Sequence, residues 1–366
     1  MKPEFYQTLT QKSLAGETFS AETCLEILTS PDIDLMDLIQ AAYQVRKHHW
    51  GKEVAIHIIN NAQNGYCPED CHYCAQAKTS KADIEEYPLK SEAEIMAEAK
   101  NAYESGAFRY CMVFAGRGPS KKRVQDLSAL IRKIKAEYPI QICVSAGLMD
   151  EEATRQLKEA GLDRMNHNLN TSEANYPNIC TTHTYEDRLK TLKAAQKFNL
   201  DICSGMIIGM GESPADVVEV LQTLATLKSK SIPINFFMKI PGTQLTDYPD
   251  LTPNYCLRVL CLARFLNPAA EIRAAAGREI HLGQLQVLSL YPANSIFMDG
   301  YLNTKGSNTE QTLRMIQDAG FTIASDHSIN DILGKTAEAP AAAGTSEGSK
   351  LILKQLRDLR PQLKQS

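Results

Sequence analysis

The chain has one tryptophan among its 366 residues and no run of the roughly 20 apolar residues that a membrane-spanning helix needs. It also lacks an excess of charge of either sign, with 39 Lys and Arg against 43 Asp and Glu and a net charge of −4. Neither nucleic acid nor an anionic membrane surface is therefore expected as a partner. The opening Met1-Lys2-Pro3-Glu4-Phe5 has neither an apolar signal core nor an Arg-rich, acid-poor transit pattern, so a cytoplasmic location is expected. No Gly-x-Gly-x-x-Gly follows the first apolar run, where an open dinucleotide-binding sheet would carry it. Ten cysteines are present, and in a reducing compartment clustered thiols are more often ligands or catalysts than disulfides.

Three of those cysteines, Cys67, Cys71 and Cys74, stand in the run Cys67-Pro68-Glu69-Asp70-Cys71-His72-Tyr73-Cys74 with no fourth cysteine nearby. A closed structural zinc site wants four ligands, and His72 would have to fold back awkwardly to supply one. A redox Cys-x-x-Cys pair would leave Cys67 without a role and lacks its usual βαβ context. A four-iron cluster normally takes four thiolates, so a trio leaves one iron open to a small molecule. This spacing is the signature of enzymes that bind S-adenosylmethionine at a 4Fe-4S cluster and cleave it to a carbon radical.

From Lys52 onward, short apolar runs alternate with amphipathic segments. The runs begin with Val54–Ile59 and Phe108–Phe114, continue through Ile140–Ser145, Asp163–Asn168 and Asp201–Ile208, and end with Pro233–Lys239, Glu271–Ala275 and Asn294–Met298. Helical patterns separate them, one opened by Ser91 with Glu94 three residues on, a capping-box pair. Eight such units predict an α/β protein, a closed (β/α)8 TIM-type barrel of parallel strands. The cysteine triplet then leaves the C-terminal end of the first strand, where barrel active sites lie. Residues 1–50 are expected as short helices before the barrel, 51–333 as the barrel itself, and 334–366 as a low-complexity linker and flexible C-terminal tail with a helix near 351–363.

Three further cysteines, Cys111, Cys143 and Cys203, fall inside predicted strands. Each has an even chance of facing the barrel interior, and inert core packing is the alternative for any one of them. Cys24, Cys180, Cys256 and Cys261 show no ligand spacing.

The triplet context resembles the biotin synthase family. So do the runs Asn166-His167-Asn168-Leu169-Asn170-Thr171-Ser172, Cys203-Ser204-Gly205-Met206-Ile207-Ile208-Gly209, Ile232-Pro233-Ile234-Asn235 and Arg273-Ala274-Ala275-Ala276-Gly277-Arg278-Glu279. The resemblance runs in order from about Ala41 to Phe321. It implies a radical enzyme that inserts sulfur into dethiobiotin to form biotin. Cys67, Cys71 and Cys74 would hold the 4Fe-4S cluster, while Cys111, Cys143, Cys203 and Arg273 would hold a 2Fe-2S cluster that donates the sulfur. Tyr73, Asn170 and Arg188 would contact S-adenosylmethionine. Asn168 and Asn235 would face the ureido ring, to which an amide offers both a donor and an acceptor. The resemblance also implies a homodimer, an electron donor such as flavodoxin or ferredoxin, and cluster-assembly proteins. The rivals are a maturase or lipoyl synthase of the same shape and a non-catalytic metal-binding protein. Lipoyl synthase would need an additional N-terminal cysteine set, and only Cys24 precedes Cys67.

Overall fold

The apolar run that starts at Val54 becomes β1 (Glu53–Gln63), the longest strand in a computed structural model that describes residues 1–245, 250–338 and 351–362. The following runs give β2 (Arg109–Phe114), β3 (Gln141–Ser145), β4 (Arg164–Asn166), β5 (Asp201–Cys203), β6 (Met206–Ile208), β7 (Ser231–Phe236), β8 (Glu271–Ala274) and β9 (Ser295–Met298). A two-residue β10 (Thr322–Ile323) adds to the start of β1. All pairings between these strands are parallel, and β9 returns to β1 from Ala55↔Ser295 to Ile58↔Met298, which closes the sheet. The result is the expected eight-position TIM-type barrel.

The helices that separate the strands are specified locally. Ser91 accepts from Glu94 N and the Glu94 carboxylate accepts from Ser91 N, so the capping box at Glu92–Glu104 is formed as the sequence implies. Thr184 with Asp187 and Ser213 with Asp216 repeat the device at Tyr185–Lys197 and Pro214–Thr226. Three N-terminal helices, Pro3–Ala15, Ala21–Thr29 and Leu35–Trp50, pack on the outer helix Pro253–Leu266 and its neighbour. The buried Arg46 ties the last of them to the barrel through the carbonyls of Gly51, Glu53 and Ala293, at the entry to β1 and β9.

One expected element differs in detail. The single strand expected over Asp201–Ile208 is broken at Ser204-Gly205 into β5 and β6. A side chain at Gly205 would collide with the Pro233 carbonyl of β7, so only glycine lets the two chains approach there. The break turns Gly205 N toward Asn168 Oδ1 at 3.1 Å and leaves Gly205 O to accept from Asn170 N at 3.1 Å. Before β9 the chain forms a short α-helix, Arg278–Leu282, followed by 3-10 turns, Gly283–Leu290, with Gly283 at a φ of 50° between them.

Near the C-terminus the expected helix is reduced to Leu356–Leu359, and Leu353 forms an antiparallel bridge to Thr304. The linker composition falls mainly on 339–350, outside the described residues. Among the described residues no helix is long and apolar enough to cross a membrane.

Candidate active site and metal centres

Strand side chains alternate, so residues two apart on one strand face the same side. Arg109, Arg164 and Glu271 begin β2, β4 and β8, and with His57 of β1 they form a charged layer deep in the barrel. Glu271 is 1 % exposed and accepts from Arg109 Nη1 and Arg164 Nη1, each at 2.9 Å, and from Arg273 Nη2. Burial alone would raise its pKa. The facing His57, Arg109 and Arg273 override that and hold the carboxyl well below the usual carboxylate range. Burial, with Arg273 adding to it, pushes the His57 pKa down to about 3 against the opposing pull of Glu271.

Two residues further along the strands lie Cys111, Asn166 and Arg273, with Cys143 paired to Cys111 across β2 and β3. Cys203 completes an isolated buried group with Cys111 and Cys143, packed between Ile59 and Phe297. Asn166 Nδ2 donates to Cys203 Sγ at 3.3 Å, and His57 Nδ1 lies 3.5 Å from Cys111 Sγ. Arg273 commits Nε to Ser295 and Nη2 to Glu271 and Ser231. Its Nη1 is 3.8 Å from Cys203 Sγ. Three thiols therefore meet a guanidinium edge in a layer underlain by more buried cations than anions. This donor set suits an anionic, thiolate-bound group.

The triplet loop sits above this layer and is fastened by its own acidic residues. Glu69 accepts from Arg117 Nη1 at 3.1 Å and from Thr182 Oγ1 at 2.6 Å, and it pairs with His183 at 2.5 Å. Asp70 accepts from the backbone N–H groups of Thr181 and Thr182 at 3.0 and 3.2 Å. His72 N donates to Ile179 O at 2.9 Å. Burial pushes the Cys74 thiol up to about 11 and raises Cys67 as well. Any metal held by this loop would therefore have to displace the thiol protons as it bound.

Cys180, a residue without ligand spacing in the sequence, lies with its Sγ 3.7 Å from Cys71 Sγ. It does not line the cavity into which the triplet opens. Cys71, Cys180 and His183 each bring a potential ligand atom within 4.8 Å of the others, whereas Cys67, Cys71 and Cys74 all line the cavity. His183, Glu69 and Asp70 were equally invisible as partners, because they meet only when residues 180–183 fold across the loop.

All the residues expected at the site, both cysteine sets, Arg273 and the five proposed contacts, line one cavity of about 390 Å³. Arg188 is 8 % exposed, donates to Asn168 O at 2.8 Å and to Tyr176 Oη, and has no carboxylate partner among the described residues. A buried cation in that condition suits a ligand carboxylate. Asn170 Nδ2 donates to Tyr73 Oη at 2.6 Å. Asn168 uses Oδ1 on Gly205 N, and its Nδ2 has no hydrogen-bond partner among the described residues. Asn235 is held by Met206 O and Ala276 N at 3.0 and 3.3 Å, so its orientation is set before any ligand arrives.

A closed parallel barrel with an open three-thiol loop at its mouth defines an enzyme of the radical S-adenosylmethionine class. Residues 64–224 match the Radical SAM superfamily, and residues 233–322 match the Biotin and Thiamin Synthesis associated domain. The chain is 54% identical over 315 residues to a biotin synthase of Magnetococcus marinus, covering 86% of this chain and 98% of that protein. It is 53% identical over 325 residues to one of Acaryochloris marina, with 89% and 94% coverage. With one of Bacillus subtilis the identity is 44% over 320 residues, with 87% and 96% coverage. The chain belongs to the biotin synthase family. Among solved structures, methylornithine synthase has the same fold, with a TM-score of 0.75 at 19% identity over 89% of this chain and 99% of that one. The FeFe-hydrogenase maturase of Carboxydothermus hydrogenoformans follows with a TM-score of 0.74 at 16% identity over 89% and 81%. These two share the fold alone.

Proposed function

We propose that this enzyme makes biotin from dethiobiotin within the cavity that joins its two cysteine layers. The supporting observation is that the triplet at the mouth and Cys111, Cys143 and Cys203 below it line the same cavity. A substrate between them would have one face toward each set. Cys67, Cys71 and Cys74 are the proposed 4Fe-4S ligands, and Cys111, Cys143, Cys203 and Arg273 surround the proposed 2Fe-2S cluster. When bound, the first cluster with S-adenosylmethionine supplies a carbon radical that abstracts hydrogen, and the second supplies the inserted sulfur.

The chain's own residues position these parts. Arg188 takes the methionyl carboxylate, and Asn170 with Tyr73 frames the adenosyl end. Asn168 offers its spare Nδ2 to the ureido carbonyl, and Asn235 holds the opposite edge of the ring. Their fixed orientation would hold the substrate ring in a single pose, as a near-attack arrangement requires. The buried walls keep water from a reactive intermediate. An external one-electron donor such as flavodoxin or ferredoxin, cluster-assembly proteins and a homodimeric state belong to the same reading. A cytoplasmic setting is consistent with ten cysteines that are all free thiols.

The test is an anaerobic assay of reconstituted protein with dethiobiotin, S-adenosylmethionine and a reductant. Biotin and 5′-deoxyadenosine are expected together, and 5′-deoxyadenosine without biotin refutes the substrate. Cys143→Ser is expected to keep cleavage of S-adenosylmethionine and lose biotin. If it forms biotin at the wild-type yield, the sulfur-donor role of the deeper set is wrong.

A further inference from the structure

The C-terminal segment carries no cysteine and no catalytic pattern, and it lies beyond both matched family regions. It nevertheless reaches the wall of the cavity. Leu302, Asn303 and Thr304 line that cavity from a loop that follows β9. The loop is bounded by Gly300, at a φ of 85°, and Gly306, so its ends are permissive and its shape depends on what it touches.

On its inner side two side chains, one near the end of β1 and one just past it, hold it. Asn61 Nδ2 donates to Leu302 O at 3.3 Å, and Asn64 Nδ2 donates to Asn303 Oδ1 at 2.7 Å. On its outer side the partner is the C-terminal segment. Lys354 N donates to Asn303 O and Lys305 N to Ile352 O, each at 2.8 Å, in the antiparallel bridge between Thr304 and Leu353. Lys354 Nζ adds a bond to Tyr301 O at 2.6 Å. The far end of the segment is anchored separately, because Arg360 donates from Nε and Nη2 to the two Glu94 oxygens at 2.8 Å each. Glu94 belongs to the capped start of Glu92–Glu104, a rigid point on the barrel.

We propose that Leu351–Arg360 braces the mouth loop, and that Lys354 and Arg360 are positioning residues for the substrate. The brace supplies the backbone partners that the Tyr301–Lys305 loop would otherwise take from water. It thereby fixes Asn303 and Thr304 against the cavity before substrate enters, and it spares the binding step the cost of ordering them. The positioning role rests on the reading of this cavity as the dethiobiotin site, whereas the brace itself does not.

The test uses the full chain with Arg360→Ala and, separately, Lys354→Met. Hydrogen exchange across 299–306 is measured together with kinetics at saturating S-adenosylmethionine. Exchange in that stretch is expected to quicken roughly tenfold, because the loop opens without the rest of the barrel. The KM for dethiobiotin is expected to rise roughly three- to tenfold with kcat near the wild-type value, the pattern of lost binding rather than lost chemistry. Arg360→Lys, which keeps one ion pair, should recover part of both effects. Unchanged exchange in both variants overturns the brace. Faster exchange with an unchanged KM overturns the positioning role. A wild-type enzyme that does not turn over dethiobiotin overturns the substrate reading, and with it the positioning role, whatever the exchange shows.

Discussion

Glu271 and Arg273 stand two residues apart on β8, and the carboxylate of the first binds the guanidinium of the second inside the barrel. That contact leaves Arg273 Nη1 facing Cys203, while the same carboxylate also serves Arg109 and Arg164. One anion therefore holds three buried arginines beneath the deeper cysteine set.

Removing that anion leaves the cations unpaired. Glu271→Ala is expected to lower the stability of the cluster-free protein by about 3–5 kcal/mol, since breaking a buried pair strands its partners in a medium that solvates them poorly. Urea unfolding reads this directly. A midpoint equal to the wild type's would show that the arginines do not depend on Glu271.

The four thiols near the mouth are expected to behave as three and one. Cys67→Ser, Cys71→Ser or Cys74→Ser should each abolish the four-iron absorption and the cleavage of S-adenosylmethionine. Cys180→Ala should retain both, because Cys180 lies behind Cys71 and outside the cavity. Iron and sulfide analysis after reconstitution distinguishes the cases, and loss of the cluster in Cys180→Ala would make it a ligand.

Gly205→Ala places a methyl group against the Pro233 carbonyl. Backbone cannot swing away as a side chain can, so a loss of about 1–3 kcal/mol or more is expected, typical of overpacking. Because Gly205 N and O hold Asn168 and Asn170, a weaker affinity for dethiobiotin should accompany it. Thermal unfolding and the KM check the two effects separately.

The anchor of the C-terminal segment carries a pH signature. The Arg360 guanidinium, helped by Ser91, holds the Glu94 carboxyl down to about 2 against the opposing pull of burial. A carboxyl depressed in the folded state stabilises fully above its unfolded pKa of about 4.5, and the benefit disappears as pH falls through the folded value near 2. The stability gap between wild type and Arg360→Ala should therefore be widest above pH ~5 and shrink toward pH ~3. A gap that is flat across this range would remove the ion pair from the anchor.

Much of this architecture is written locally. Cys67, Cys71 and Cys74 are legible as candidate ligands because thiols offered by one loop are close in sequence, and a trio would leave one iron of a four-iron cluster open. The alternation of strand and helix gives the barrel, since an apolar run flanked by capped helices has few other ways to bury both faces. Where that reading slipped, at β5 and β6, the cause was Gly205 and its contact with a strand 28 residues later, which no local pattern reports.

The deeper set is a different matter. Alternation says that Cys111, Cys143 and Cys203 each face one side of a strand or the other, but it cannot say which side, or that the three share a level. Family resemblance supplied them; closure of the sheet and its register put them together. Tertiary structure alone decided that Glu271 neutralises arginines from β2, β4 and its own strand, that Cys180 lies behind Cys71, and that the C-terminal segment reaches the mouth. In each case the partners are separated by strand pairings or long loops, and their meeting depends on how the barrel closes. The sequence by itself determined which chemistry the first loop can hold. The fold decided what stands opposite it, because only a closed barrel brings residues so far apart along the chain to face one cavity.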